Sequence, residues 1–209
     1  MIVIPAINEK TFSEAAKRIK EAEALGADWL HVDVVDGVFA PNITWGNAEE
    51  FKNIGTKLKT EVHLMVHNPE EVAESWLSAG ANRLIIHLES AADINRIKEL
   101  TDKYGADVVL AIAPVTDVDA FKIYLSSFKF FQILAVEPGL AGQGFQEKCL
   151  EKIKFLREQS PNATIEVDGG VNSETASLIK KAGADILVSA SYIWQSQNPK
   201  EVYEKLKNL

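Results

Sequence analysis

Four side chains able to hold a cation stand at or near the ends of apolar, β-branched runs. His31 and Asp33 lie in LHVDVV, His63 in EVHLMV, and Asp168 closes IEVD ahead of Gly169 and Gly170. Charge buried in such a run is costly unless it is paired or bound to metal. Imidazole and carboxylate together suit zinc, iron, manganese or cobalt. If the four converge, they form a site for one divalent ion.

Convergence depends on the elements that carry them. Alternation along a strand puts His31 and Asp33 on one face and turns Val32 and Val34 to the other. Short β-rich runs recur at 2–6, 28–35, 60–66, 83–87, 107–113, 130–136, 163–167 and 185–191, with amphipathic segments between them. In FSEAAKRIKEAEALGA, Ala15, Ile19, Ala22 and Leu25 share one helical face and Gly26 supplies the stop. The AGA and YGA that follow later helices are C-cap signals, with glycine in the left-handed conformation. Eight strands alternating with helices predict a parallel sheet closed into a (β/α)8 TIM barrel spanning residues 1–209 as a single domain. The competing doubly wound sheet wants a glycine-rich first turn, and PAINEKTF has no glycine.

Barrel chemistry is built at the C-terminal ends of the strands. All four histidines lie in the later half of a strand or just past it, whereas the strand starts carry Asp28, Asp107 and Asp185. Plain alternatives stand beside this: a strand histidine is commonly a hydrogen-bonded core residue, and Asp168 before two glycines is a turn former. Two glycine-bearing loops on the same face, VEPGLAGQGF (136–145) and VDGGV (167–171), offer close backbone approach and N–H groups for an anion. Phosphate in barrels is commonly held after strands seven and eight, here DGGV and SASY, with Ser191 adding a hydroxyl.

Bulk properties narrow the partners. A net charge of −8 argues against nucleic acid or an anionic membrane as general partners. Any anionic ligand then needs a local cradle. Cys149 is the only cysteine, which leaves no intrachain disulfide and no multi-cysteine metal site. The opening MIVIPAIN lacks a basic n-region, and no apolar run is long enough to span a bilayer. A reducing, cytoplasmic setting is the expectation.

Taken in order, HVDVVDGVFAPNITWG, EVHLMVHNPE, HLES, VEPGLAGQGF and IEVDGGVNSETA with AGADILVS resemble the ribulose-phosphate 3-epimerase family along nearly the whole chain. The resemblance implies a barrel of the ribulose-phosphate-binding type holding one divalent metal (Zn, Fe, Mn or Co) on His31, Asp33, His63 and Asp168. It implies that Asp33 and Asp168 are also the acid–base pair. Substrate and phosphate contacts would come from His63, from Gly139, Leu140, Ala141 and Gly142, from Gly169 and Gly170, and from Ala190 and Ser191. The implied reaction interconverts D-ribulose 5-phosphate and D-xylulose 5-phosphate by two-base proton transfer at C3 through an ene-diolate. Epimerisation removes a proton from one face and returns one to the other, so two positioned groups are needed, one ionised and one protonated. A metal on the sugar's oxygens would act as a Lewis acid. The substrate would be a small phosphorylated ketose, and members of the family associate as homo-oligomers.

The chain departs from the family's pattern in places. Its first strand reads Pro5-Ala6-Ile7-Asn8 where a serine is usual after the proline, with Asn8 as a nearby polar group. Met65 is kept, but Val35 and Leu134 stand where methionine is usual, and Ala141 and Ala190 replace glycines. Alanine at a positive-φ position would carry strain. These changes leave open an epimerase of another ketose phosphate, such as a hexulose 6-phosphate, and a non-catalytic barrel that binds metal or sugar phosphate. A lyase or decarboxylase of a related barrel would carry Asp-x-Lys-x-x-Asp where this chain has His31-Val-Asp33-Val-Val-Asp36. No lysine sits at a strand C-terminus for Schiff-base chemistry. Asp36 reads as loop-ordering, His87 and Glu89 as supports or rim groups behind the ligands, His67 as surface and Cys149 as packing. Trp29, Trp76 and Trp194 read as core or interface; Trp45 reads the same way or as cover for the site.

Overall fold

Apolar side chains on one face and a cap at each end make α1, Phe12–Leu25. Thr11 and Glu14 form a reciprocal capping box, Gly26 closes the helix at φ 76°, and Ala15, Ile19, Ala22 and Leu25 are the buried face. The other helices, α2 (Ala48–Ile54), α3 (Pro69–Ser78), α4 (Ile94–Tyr104), α5 (Cys149–Gln159), α6 (Ser173–Ala182), the single turn α7 (Ser191–Trp194) and α8 (Pro199–Lys207), each bury at least one apolar side chain as well. Side chains of Asn47, Asp93, Asn172 and Asn198 satisfy the first N–H groups of α2, α4, α6 and α8.

The computed structural model describes residues 1–209. Eight parallel strands close into a barrel in chain order: β1 (Ile2–Ile7), β2 (Trp29–Val35), β3 (Lys59–Met65), β4 (Arg83–His87), β5 (Asp107–Ile112), β6 (Phe130–Leu134), β7 (Thr164–Asp168) and β8 (Ile186–Ser189), with β8 pairing back onto β1. The expected TIM barrel is the observed fold. One crossover differs from strict alternation. Between β5 and β6 only a 3-10 turn, Val118–Phe121, takes the place of a helix. Asp117 caps it, and the fully buried Phe121 packs edge-on against Phe131 at 5.0 Å, so one aromatic anchor covers that side of the sheet. No helix is long and apolar enough to cross a membrane.

Most of the apolar core lies between strands and helices, where outward residues such as Val32, Val34, Val62, Leu64 and Ile133 meet the helical faces. Inside the barrel the apolar groups are smaller: Ile4, Ala6, Ile186 and Val188 on one side, Ile85, Val109 and Ala111 on the other. Polar side chains fill the remaining interior. Strand register sets their heights, pairing His31 with Glu61, Asp33 with His63, and Leu134 with Asp168.

Candidate active site

The register of β2 and β3 puts Asp33 beside His63, and barrel closure brings Asp168 of β7 toward both. His31 Nε2 lies 3.2 Å from Asp33 Oδ1, 3.3 Å from His63 Nδ1 and 3.9 Å from Asp168 Oδ2. His63 Nδ1 lies 3.1 Å from Asp33 Oδ1 and 3.4 Å from Asp168 Oδ2. One ligand atom from each of the four residues falls within 4.8 Å of the others. Both histidines are fully buried, and the two carboxylates show only 8% and 13% of their side-chain surface.

The far sides of the imidazoles determine what the near sides offer. His31 Nδ1 is 2.8 Å from Glu61 Oε1, so it carries the proton and donates, which leaves Nε2 as a lone pair facing the cluster. His87 Nδ1 is 3.0 Å from Glu89 Oε2 and donates to it in the same way. Neutral His87 then accepts through Nε2 from His63 Nε2, 2.8 Å away, and His63 Nδ1 is left as a lone pair. With protons on the near nitrogens, His31 and His63 donate to Asp33; with the protons on the far ones, four acceptors converge. Such a set needs a cation, or protons in its stead.

The electrostatics follow the same logic. Burial pushes the His31 and His63 imidazoles down, but the carboxylates outweigh it: Asp33 and Glu61 hold His31 well above its ordinary value, and Asp168 and Asp33 raise His63. Burial would raise the Asp33 carboxyl, yet hydrogen bonds from His31 and His63 hold it far below the usual range. His87 is lowered, chiefly by burial, which favours the neutral ring the relay requires. Burial pushes Glu89 up, but His87, the Thr116 hydroxyl and the Ala113 N–H outweigh it and hold it at about 2.

Beneath the cluster lies a second polar layer that the sequence reading missed. Arg83 donates to Glu61 Oε2 at 3.0 Å, its guanidinium held 3.9 Å from the Trp29 ring centroid and 4.9 Å from that of Phe130. Gln132 donates to Glu166 Oε1 at 3.0 Å. Burial, then the charge of Glu61, raises Glu166 well above its ordinary value, which favours its neutral form. A signal was available. Glu61 and Glu166 stand two residues before His63 and Asp168, and period-two alternation puts each pair on the same inward face.

A cavity opens beside the cluster, lined by Asp33 and Asp168 together with Gly142, Gly170 and Ser191. Gly139, Leu140, Ala141, Gly169 and Ala190 also line it; His63 does not, lying fully buried behind Asp33. The N–H groups of Gly142, Gly169, Gly170 and Ser191 donate to no protein acceptor. Gly170, at φ 67°, packs so closely that a Cβ there would stand 2.3 Å from Phe145 N, so this glycine is first a loop-packing requirement. Met65, Leu134 and Val136 form apolar wall. No residue other than glycine has positive φ, and Ala190 sits at φ −107°, so the strain expected at the alanines is absent.

Other residues fall away from the cavity. Asp36 orders its loop by accepting from the N–H groups of Val38, Phe39 and His67, and His67 is exposed. Trp45 does not cover the site: it is buried against Trp76 and donates to Glu50 Oε2 at 2.6 Å. Cys149 is buried at the start of α5, and burial raises its thiol. Asn8 lines the cavity and donates to Asp33 Oδ2 at 3.0 Å.

A sequence model described as the ribulose-phosphate 3 epimerase family matches residues 2–194. The protein named ribulose-phosphate 3-epimerase in Chlamydia pneumoniae is 35% identical over 95% of this chain and 90% of its own length. The one so named in Bacillus subtilis is 33% identical over 98% of this chain and 97% of its own length. Among solved structures, 3-hexulose-6-phosphate synthase from Salmonella typhimurium superposes with TM-score 0.78 at 17% identity, covering 100% of this chain and 97% of the other. Orotidine 5'-phosphate decarboxylase from Pyrococcus horikoshii OT3 superposes with TM-score 0.72 at 16% identity, covering 100% of both chains. At those identities the shared property is the fold alone.

Proposed function

Because the chain belongs to the ribulose-phosphate 3-epimerase family, whose members are isomerases, we propose that it interconverts D-ribulose 5-phosphate and D-xylulose 5-phosphate, with one divalent cation held by His31, Asp33, His63 and Asp168. The observation that carries this reading is the donor count. With Glu61 and His87 taking up the protons on the far sides of the rings, both near nitrogens can turn lone pairs to a cation, and two carboxylate oxygens complete the set. Zinc, iron, manganese and cobalt all accept such ligands. When bound, the cation supplies Lewis-acid stabilisation to charge developing on the sugar's oxygens.

The chain's own residues do the rest. Asp33 and Asp168 both line the cavity but come from β2 and β7, with β1 and β8 between them. That separation suits a sugar with one carboxylate on each face of C3. One of the two takes the C3 proton as a carboxylate while the other returns one to the opposite face, and the reverse reaction exchanges these roles. Met65, Leu134 and Val136 keep water from the carbanion-like species formed between the two transfers. The free N–H groups of Gly142, Gly169, Gly170 and Ser191 are the cradle for the phosphate, which the chain's net negative charge would otherwise repel.

The test is solvent exchange. With manganese or zinc in D2O, the wild-type chain should carry deuterium into C3 of D-ribulose 5-phosphate and yield D-xylulose 5-phosphate. Asp168→Asn should abolish both while remaining folded. Metal binding without C3 exchange on any pentulose or hexulose phosphate would instead identify a binding barrel.

A further inference from the structure

Asp33 divides its two oxygens. Oδ1 faces the nitrogens of His31 and His63, at 3.2 and 3.1 Å, while Oδ2 accepts from Asn8 Nδ2 at 3.0 Å. The other hydrogen of the same amide goes to the Gly139 carbonyl, also at 3.0 Å. Gly139 opens the loop that carries Leu140, Ala141 and Gly142 over the cavity, and Asn42 Nδ2 reaches the same carbonyl at 3.3 Å. Little slack remains there: a Cβ on Gly139, at φ 114°, would fall 2.0 Å from Asn42 Oδ1. Asn8 is thus the side chain that hydrogen-bonds both the proposed proton carrier and the proposed phosphate loop.

We propose that Asn8 is a positioning residue for proton transfer, and that it ties the Asp33 carboxylate to the phosphate loop through Gly139; this rests on the epimerase reading above. If Oδ1 is committed to the cation side, only Oδ2 is available to exchange a proton with the sugar. A carboxylate oxygen accepts more than one hydrogen bond, so the bond from Asn8 leaves a second lone pair for the C3 proton. Asn8 also blocks rotation of the carboxylate, and small misplacements of a catalytic group are costly in rate. Ala6 brings no hydroxyl and packs with Ile4, Ile186 and Val188 inside the barrel, so Asn8, next after β1, is the polar side chain this end of the strand brings to the cavity.

Two substitutions separate the Asn8 bridge from the neighbouring Asn42 bond. Asn8→Leu removes both bonds, whereas Asn42→Ala removes only the second bond to the Gly139 carbonyl. We expect Asn8→Leu to lower kcat about tenfold or more, equivalent to about 1.4 kcal/mol, and to raise KM. Asn42→Ala should raise KM about threefold with kcat within about twofold of wild type, since that one bond is weak and lies away from Asp33. Manganese affinity of Asn8→Leu, measured by titration without substrate, should fall by much less than kcat, because Asn8 bonds the Asp33 oxygen turned away from the histidines. Should Asn8→Leu fail to fold, Asn8→Asp keeps the volume, sets a carboxylate against Asp33 and the carbonyl, and should lose at least as much kcat. A kcat within twofold of wild type in the folded Asn8 variant overturns the inference, as does a loss of metal affinity in proportion to the loss of rate. An inactive wild-type chain, seen before any variant is made, would overturn the epimerase reading itself and this inference with it.

Discussion

The Nε2 atoms of His63 and His87 lie 2.8 Å apart, with the two rings within 16° of parallel and their centroids 5.0 Å apart. One nitrogen must donate, and Glu89 on the far side of His87 decides which. The link lets His63 Nδ1, beside Asp33 and Asp168, offer a lone pair to a cation, and His31 can do the same directly through Glu61.

His87→Phe therefore removes the acceptor that fixes His63 without touching a proposed ligand. Metal affinity should fall about 10–100-fold, the usual cost of losing a partner behind a ligating histidine. Titration with zinc or manganese measures it, with the exposed His67→Ala as the unchanged reference.

Metal removal should cost stability. Four acceptors facing one another are eased only by a cation or by protons, so added manganese should raise the melting temperature in a concentration-dependent manner. A hundredfold excess over Kd is worth about 2.7 kcal/mol. A melting temperature indifferent to metal at all concentrations would remove the cation from the account.

Glu89 predicts a pH signature. Its folded value of about 2 lies below the ordinary 4.5, so ionised Glu89 stabilises the fold above pH 4.5, and the contribution disappears as pH falls toward 2. Glu89→Gln should therefore be less stable than wild type at pH 7, by about 1–2 kcal/mol after allowance for its partial exposure. Urea denaturation of both proteins should show the gap closing on acidification.

Gly170→Ala should destabilise the mouth of the barrel. Its Cβ would meet Phe145 N at 2.3 Å, and its φ of 67° disfavours any side chain. Overpacking of this kind costs about 1–3 kcal/mol. Urea denaturation should report the loss, and a raised KM should accompany it because the neighbouring N–H groups shift.

Much of this was legible in the chain itself. The barrel follows from short β-rich runs, amphipathic helices and caps such as Thr11 with Gly26, because those signals act over a few residues. The inward placing of His31, Asp33, His63 and Asp168 follows from period-two alternation and the ends of their strands. Glu61 and Glu166 obey the same alternation but lie one inward layer below the strand ends, where a buried carboxylate is legible only once its partners Arg83 and Gln132 are in place.

Other relations belong to the closed barrel alone. Asn8 and Gly139 are separated by 131 positions and meet only because β1 and the loop after β6 share one mouth. Which oxygen of Asp33 faces the histidines, and which nitrogen of His63 is left bare, depend on side-chain torsions set by neighbours on other strands. Local sequence determined which elements form and which residues point inward. Strand register and closure decided the contacts, because hydrogen bonds form over about 3 Å between groups that the chain brings together only when the eighth strand pairs with the first.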